Sequence, residues 1–409
     1  MPTDATELSP QELELARSRL GELADQFVID GTLLTPAWRA VFARTWRHPY
    51  VPSYYPELGV PPVRAAEPSQ RSQWLHAVYT DQTLITKVEQ VRFRPPLAPG
   101  SYPMYTCSST APVLMLTMLE ALDVDHGHRV LEIGTGTGYN TALLCARLGS
   151  ERVTSVDIDP ELVALARQRL AANGYTPILA AVDGAGGYPG GAPYDRIIAT
   201  CGVLAIPPAW LEQAAPGGVI VVDVHGKIGG TLARLTVDGD GTATGRFLPR
   251  WASFMSLRHT LEVEPPRPRP QLDDDPVDSV SAVDPKLLRY DGPFGFLAQW
   301  HLPDVTWGPA TSTDGEFGIQ LYAPDGSRAL ARSSPAGPGW QVTQCGPRRL
   351  WDRVEDAHEF WRQAGRPHYD RFGITATATE QYIWYDHPDS EHHWRLPTPT
   401  SPHMTQPVS

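Results

Sequence analysis

The chain has 409 residues, with 34 Lys and Arg against 46 Asp and Glu and a formal net charge of −12, a balance that excludes the clustered positive surface nucleic-acid phosphates require. Four cysteines, Cys107, Cys145, Cys201 and Cys345, form no CxxC pair and have no histidine cluster near them, so neither a disulfide framework nor a metal site is expected. No apolar run reaches the length of a membrane span and the first residues lack a basic-then-apolar leader, so a soluble, cytoplasmic protein of two or three structural units, without a membrane partner, is expected.

Ser9-Pro10-Gln11-Glu12 predicts a capping box, and Leu13, Ala16, Leu20, Leu23 and Phe27 follow at helical spacing. A second helix is expected from Thr35-Pro36. Residues 50–100 read as loops, interrupted at 74–79 and by a short strand at 84–86, so 1–104 is taken as an N-terminal helical cap. Between 111 and 223 helices at 113–122, 140–148, 160–172 and 208–215 alternate with strands at 129–133, 152–156, 178–182, 196–200 and 219–224. That alternation predicts an α/β domain with a parallel, Rossmann-like sheet over 105–262, to which 231–254 adds two strands around Asp238-Gly239-Asp240-Gly241. The Pro- and Asp-rich stretch 263–283 reads as a linker. Beyond it, strands at 317–322, 329–333, 340–344 and 381–385 and a helix at 349–364 predict a C-terminal α+β domain over 284–398, followed by a disordered tail, 399–409.

The most informative stretch is Val130-Leu131-Glu132-Ile133-Gly134-Thr135-Gly136-Thr137-Gly138-Tyr139-Asn140, a buried strand running through a glycine turn into a helix. Alternate glycines allow a tight turn and close approach of a ligand. The dinucleotide fingerprint needs a glycine where Tyr139 stands, which weakens a nicotinamide reading. Glu132 ahead of the turn, Asp157 about twenty residues beyond it, where a carboxylate can accept ribose hydroxyls, and Asp183-Gly184 at the third strand end make acidic tips with no Lys or Arg in the turn. They suit a cationic, phosphate-free nucleoside, and S-adenosylmethionine is such a ligand. The expected cofactor contacts are Glu132, Gly134, Thr135, Gly136, Gly138, Asp157, Ile158, Asp183 and Gly184.

With Val153-Thr154-Ser155-Val156-Asp157-Ile158-Asp159-Pro160-Glu161-Leu162 and Pro193-Tyr194-Asp195-Arg196-Ile197-Ile198-Ala199-Thr200, this stretch resembles the protein L-isoaspartate O-methyltransferases. The resemblance implies a class I S-adenosylmethionine-dependent methyltransferase core. It also implies an acceptor-side hydroxyl just before the helix that precedes the first strand. That position is Thr110, with Ser109 beside it, as candidate catalytic residues; Tyr79, Asp81 and Thr200 are candidate substrate contacts. The C-terminal extension looks like an actinobacterial subgroup acting on modified ribosomal peptides, which implies methylation of an ordinary Asp in a macrocyclised precursor peptide and collapse of the ester to a succinimide. The alternatives are repair of isoaspartyl proteins and, in a different class, a non-catalytic peptide-binding partner that keeps the cofactor fold.

Overall fold

The computed structural model describes residues 6–92, 101–260, 276–311, 317–333 and 339–397. They form two units, Met1–Cys201 with Glu212–Val221 and Leu257–Pro266, and Gly202–Leu211 with Val222–Ser256 and Arg267–Ser409. The expected cap at 1–104 is therefore not a body of its own. It belongs with the nucleotide-type core.

In the first unit, α1 (Pro10–Ile29) starts with the expected reciprocal cap: Glu12 N donates to Ser9 Oγ, and Ser9 N donates to the Glu12 carboxylate. Arg71 Nε also donates to Glu12, at 2.8 Å. This guanidinium holds the Glu12 carboxyl down at about 2. Thr35 caps α2 (Pro36–Phe42). The pair β1 (Ser53–Tyr54) and β2 (Val63–Arg64) leads to α3 (Arg71–Val78), whose Trp74 is fully buried and donates from Nε1 to Val51 O.

The short strand expected at 84–86 is one end of a long antiparallel hairpin, β3 (Leu84–Arg92) and β4 (Ser101–Ser109). Thr86, Lys87, Glu89 and Gln90 are only half-buried or exposed, so β3 lacks the apolar alternation that marks a strand in sequence. After α4 (Pro112–Leu122) come β5 (Val130–Ile133), α5 (Tyr139–Leu148), β6 (Val153–Asp157), α6 (Pro160–Ala172) and β7 (Ile178–Ala181). The chain then passes between the two units along β8 (Tyr194–Val203), α7 (Pro208–Gln213) and β9 (Ala214–His225). Strand β5 pairs in parallel with β6 on one side and β8 on the other, and β6 pairs in parallel with β7. The order reverses at β5, and such sheets bind ligands beyond the carboxyl ends of the strands at that switch point. Glu132, Gly134, Asp157 and Thr200 all stand at those ends.

The second unit contains an antiparallel run in the order β10 (Gly230–Val237), β11 (Ala243–Trp251), β17 (Phe372–Ala376), β18 (Gln381–Tyr385) and β19 (His393–Arg395). It also contains a separate five-stranded sheet in the order β12 (Val277–Ser281), β16 (Trp340–Cys345), β15 (Arg328–Ser333), β14 (Phe317–Tyr322), β13 (Thr306–Thr311). Helices α8 (Leu287–Tyr290), α9 (Gly292–His301) and α10 (Leu350–Gln363) complete it. The expected linker is thus partly structured. Val277 to Ser281 pairs with β16, whereas its earlier part and the expected tail at 399–409 lie outside the described residues. Asp223 Oδ2 lies 2.8 Å from Nδ1 of His225. A Cβ on Gly202 would strike the His225 ring and one on Gly230 would meet its Cβ, so both glycines make room for that imidazole. All four cysteines are free thiols, and Cys107, Cys145 and Cys345 are buried. Among the described residues no helix is long and apolar enough to cross a membrane.

Candidate functional site

The three glycines of the turn have left-handed backbones, with φ of +97° at Gly134, +51° at Gly136 and +89° at Gly138, which side chains rarely adopt. They do different things. A Cβ on Gly134 would stand 2.6 Å from Thr200 Oγ1, and one on Gly138 would stand 3.2 Å from Ala166 Cβ of α6. Gly136 instead supplies a donor: its N–H reaches Asp157 Oδ2 at 2.9 Å. Asp157 Oδ1 accepts a second backbone bond, from Asp159 N at 3.1 Å. Burial pushes the Asp157 carboxyl up from its usual range despite these donors. Two donors leave about two of a carboxylate's roughly four lone-pair positions free for a ligand's hydroxyls.

Asp159 is the N-cap of α6, accepting from Glu161 N and Leu162 N. Its other oxygen lies 2.6 Å from Lys87 Nζ, which also bonds Glu161 at 2.9 Å. This ammonium ties β3 to the first turn of α6. Strand β4 lies against the glycine turn itself, with Cys107 Sγ 3.5 Å from where a Gly136 Cβ would be. Asp183 Oδ1 accepts from Ala185 N at 2.9 Å, and Oδ2 lies 3.1 Å from His259 Nδ1. Next to it, a Cβ on Gly184 would collide with Ile133 and lie 3.3 Å from Leu257.

Several expected contacts do different work. Glu132 has no exposed surface, and its carboxylate accepts from Asn140 Nδ2 at 2.7 Å, from Ser155 Oγ at 2.6 Å and from Thr141 Oγ1. It joins the first turn of α5 to β6 and is not an open anion for a cationic ligand; burial raises its pKa to about 7. Thr135 is buried with its hydroxyl 2.7 Å from Ser155 Oγ, which leaves only its backbone for a ligand. Thr200 Oγ1 donates to Gly134 O at 2.7 Å, so it braces the turn instead of addressing substrate. Tyr79 is buried with its hydroxyl on His48 Nδ1, and burial raises its pKa strongly. It is a packing residue. Asp81, which is exposed, accepts from Val113 N at 2.9 Å and so caps α4, while Thr83 Oγ1 accepts from Ala111 N at 3.1 Å. Ile158 is half-buried at the end of β6.

Around Thr110 the organising residue is one that sequence reasoning did not single out. Arg47, 1% exposed, donates to Ser109 Oγ at 3.1 Å, Ser109 O at 3.0 Å and Thr110 O at 3.1 Å. It also donates to the carbonyls of Val78, Thr80 and Gln82. Burial pushes its pKa down to about 10, so it stays protonated at neutral pH. The Ser109 hydroxyl oxygen and carbonyl are both acceptors in this network. Thr110 is gripped only through its backbone, and its hydroxyl makes no hydrogen bond among the described residues. Because Asp81 and Thr83 cap α4, that hydroxyl has no capping duty. It remains available to an acceptor.

The residues present fit a ligand with a ribose. Asp157 offers spare acceptor positions at the switch point, and the buried Nη1 of Arg258 has no hydrogen-bond partner among the described residues. The family model described as Protein-L-isoaspartate(D-aspartate) O-methyltransferase matches residues 67–249. A protein-L-isoaspartate O-methyltransferase of Methanosarcina mazei is 33% identical over 233 residues, covering 56% of this chain and 79% of the relative. One of Anaeromyxobacter dehalogenans is 41% identical over 166 residues, covering 37% of this chain and 78% of the relative. A solved protein-L-isoaspartate O-methyltransferase shares the fold, with a TM-score of 0.51 at 19% identity over 91% of this chain and 100% of that one.

Proposed function

Because the chain belongs to the protein-L-isoaspartate O-methyltransferase family, we propose that it methylates the free carboxylate of isoaspartyl residues in peptides and proteins. The enzyme class, S-adenosylmethionine-dependent methyl transfer to a carboxyl oxygen, follows from family and fold together. When bound, the cofactor supplies an electrophilic methyl group. Gly134, Gly136, Gly138, Asp157, Ile158, Asp183 and Gly184 are the residues that would hold it, by backbone approach at the turn and by carboxylate acceptors at the strand ends.

The observation that carries the reading is the free Thr110 hydroxyl, anchored by Arg47 on a hairpin that packs against the glycine turn. An isoaspartyl carboxylate has the pKa of an ordinary carboxyl, roughly 3–4, so it is an ionised nucleophile at neutral pH and needs no general base. The protein's work is to orient it and strip part of its water, which turns an encounter between two solutes into a placed reaction. Thr110 donates a hydrogen bond that fixes the carboxylate. The Arg47 charge, whose hydrogen-bond partners are all neutral, favours an anion there.

Thr110→Val keeps the shape and removes the donor, so kcat/KM for peptide should fall about tenfold, the loss of one hydrogen bond to a charged group. Thr110→Ser should retain most of the activity. Wild-type kinetics in the valine variant, with unchanged donor affinity, would remove Thr110 from the mechanism. The substrate test is direct: matched isoaspartyl and aspartyl peptides are incubated with the donor, and methyl gain is read by mass.

Methylation of ordinary Asp in a modified ribosomal peptide, closing to a succinimide with loss of methanol, is the second reading. It has the weaker support, since the relatives carry isoaspartate methylation in their names. Methyl gain on an Asp-containing cyclised peptide alone would favour it.

A further inference from the structure

The chain re-enters the first unit at Leu257, and Leu257, Arg258 and His259 lie against the donor side of the sheet. Leu257 packs over Gly184, where a Cβ would stand 3.3 Å from its Cδ1. His259 Nδ1 lies 3.1 Å from Asp183 Oδ2. Arg258, between them, is half-buried, and its Nη1 is buried without a hydrogen-bond partner among the described residues. A buried guanidinium N–H without an acceptor is costly, which points to an acceptor other than the described residues. Arg258 is near enough to Asp157 to act on its carboxyl by charge.

A ribose cis-diol presents two O–H donors together with lone pairs on the same oxygens. A carboxylate alone satisfies only the first; a carboxylate and a guanidinium satisfy both. We infer that Leu257-Arg258-His259 forms a strap along the ribose side of the donor site, in which Arg258 donates to the diol oxygens whose protons Asp157 accepts. This rests on the reading of the site as one for S-adenosylmethionine. Arg258 is then a donor-specificity residue contributed from beyond the glycine-turn core. His259 and Leu257 hold it in place through Asp183 and Gly184.

The test is calorimetric binding of S-adenosylhomocysteine and its 2′,3′-dideoxy analogue to the full chain, with no turnover required. The wild type should prefer the ribose ligand. Arg258→Met should weaken S-adenosylhomocysteine roughly ten- to hundredfold, the range for a hydrogen bond from a charged donor, and leave the dideoxy analogue unchanged. Arg258→Lys, which keeps the charge and one donor, should fall between, and each variant's melting curve checks that it is folded. Equal weakening of both ligands by Arg258→Met, or no effect on either, would overturn the strap assignment. Failure of the wild type to bind S-adenosylhomocysteine at all would overturn the donor-site reading and the strap with it.

Discussion

Replacing Arg47 by methionine is expected to lower stability by about 3 kcal/mol or more and to disable the acceptor side of the site. The guanidinium donates to five backbone carbonyls and one hydroxyl, drawn from residues 78, 80, 82, 109 and 110. Methionine fills the volume and donates nothing. Each buried acceptor left bare costs about 1–3 kcal/mol, and removing a desolvated charge returns only part of the sum. Arg47→Lys keeps the charge, yet three donors on a flexible stem cannot reproduce a planar fork of five, so it should fall between. Urea unfolding measures the stability change. Since Arg47 holds Ser109 and Thr110 and does not touch the glycine turn, peptide KM should rise while donor affinity stays near wild type. A methionine variant within about 0.5 kcal/mol of wild type, the range of an inert surface change, would contradict the role assigned to this residue.

The second large effect concerns Glu132. Its folded-state pKa is raised to about 7 from 4.5, so the folded protein binds more protons than the unfolded chain between those values. Stability from this group is then fully present below pH 4.5 and is lost as pH rises through about 7, by roughly 3 kcal/mol. Glu132→Gln has no proton to lose. Its amide can still accept from Asn140 and can donate to Thr141 and Ser155, whose hydroxyls rotate to receive it. The variant should therefore lack this decline, and its stability relative to wild type should rise from pH 4.5 to 7.5. Denaturant midpoints across that interval decide it, and parallel profiles would refute the assignment. Glu132→Leu should be worse than either at every pH, because it strands three buried donors.

What the amino-acid sequence disclosed depended on whether the signal was local. Asp159-Pro160 at one end and Asn173-Gly174 at the other bracket α6, and the helix runs Pro160–Ala172 as expected. The glycine turn was legible for the same reason. Glu132 misled because every residue of β5 is buried, so no alternation tells which face a strand-tip carboxylate takes. Arg47 lies in a stretch, Trp46–Pro52, that resembles the family's N-terminal region, yet its role is not legible there: its partners are 31 to 63 residues away, and nothing beside it in the chain announces them. Strand β12 was lost in a Pro- and Asp-rich stretch because its first four residues are exposed, leaving no apolar pattern to read. Arg258 and His259 fell between the last recognisable strand and that stretch, where neither periodicity nor composition drew attention.

The buried thiols have a use unconnected with catalysis. Burial pushes Cys107 up to about 11 and Cys145 up to about 12, so neither reacts as a thiolate while the fold is closed. One lies on the strand over the glycine turn and the other on the helix that follows it, whereas Cys345 is buried in the second unit. Modification of each therefore waits for the opening of its own surroundings. The rates at which the three are alkylated form a native clock of local unfolding, able to distinguish whether the donor side and the C-terminal unit breathe together or independently, without a mutation.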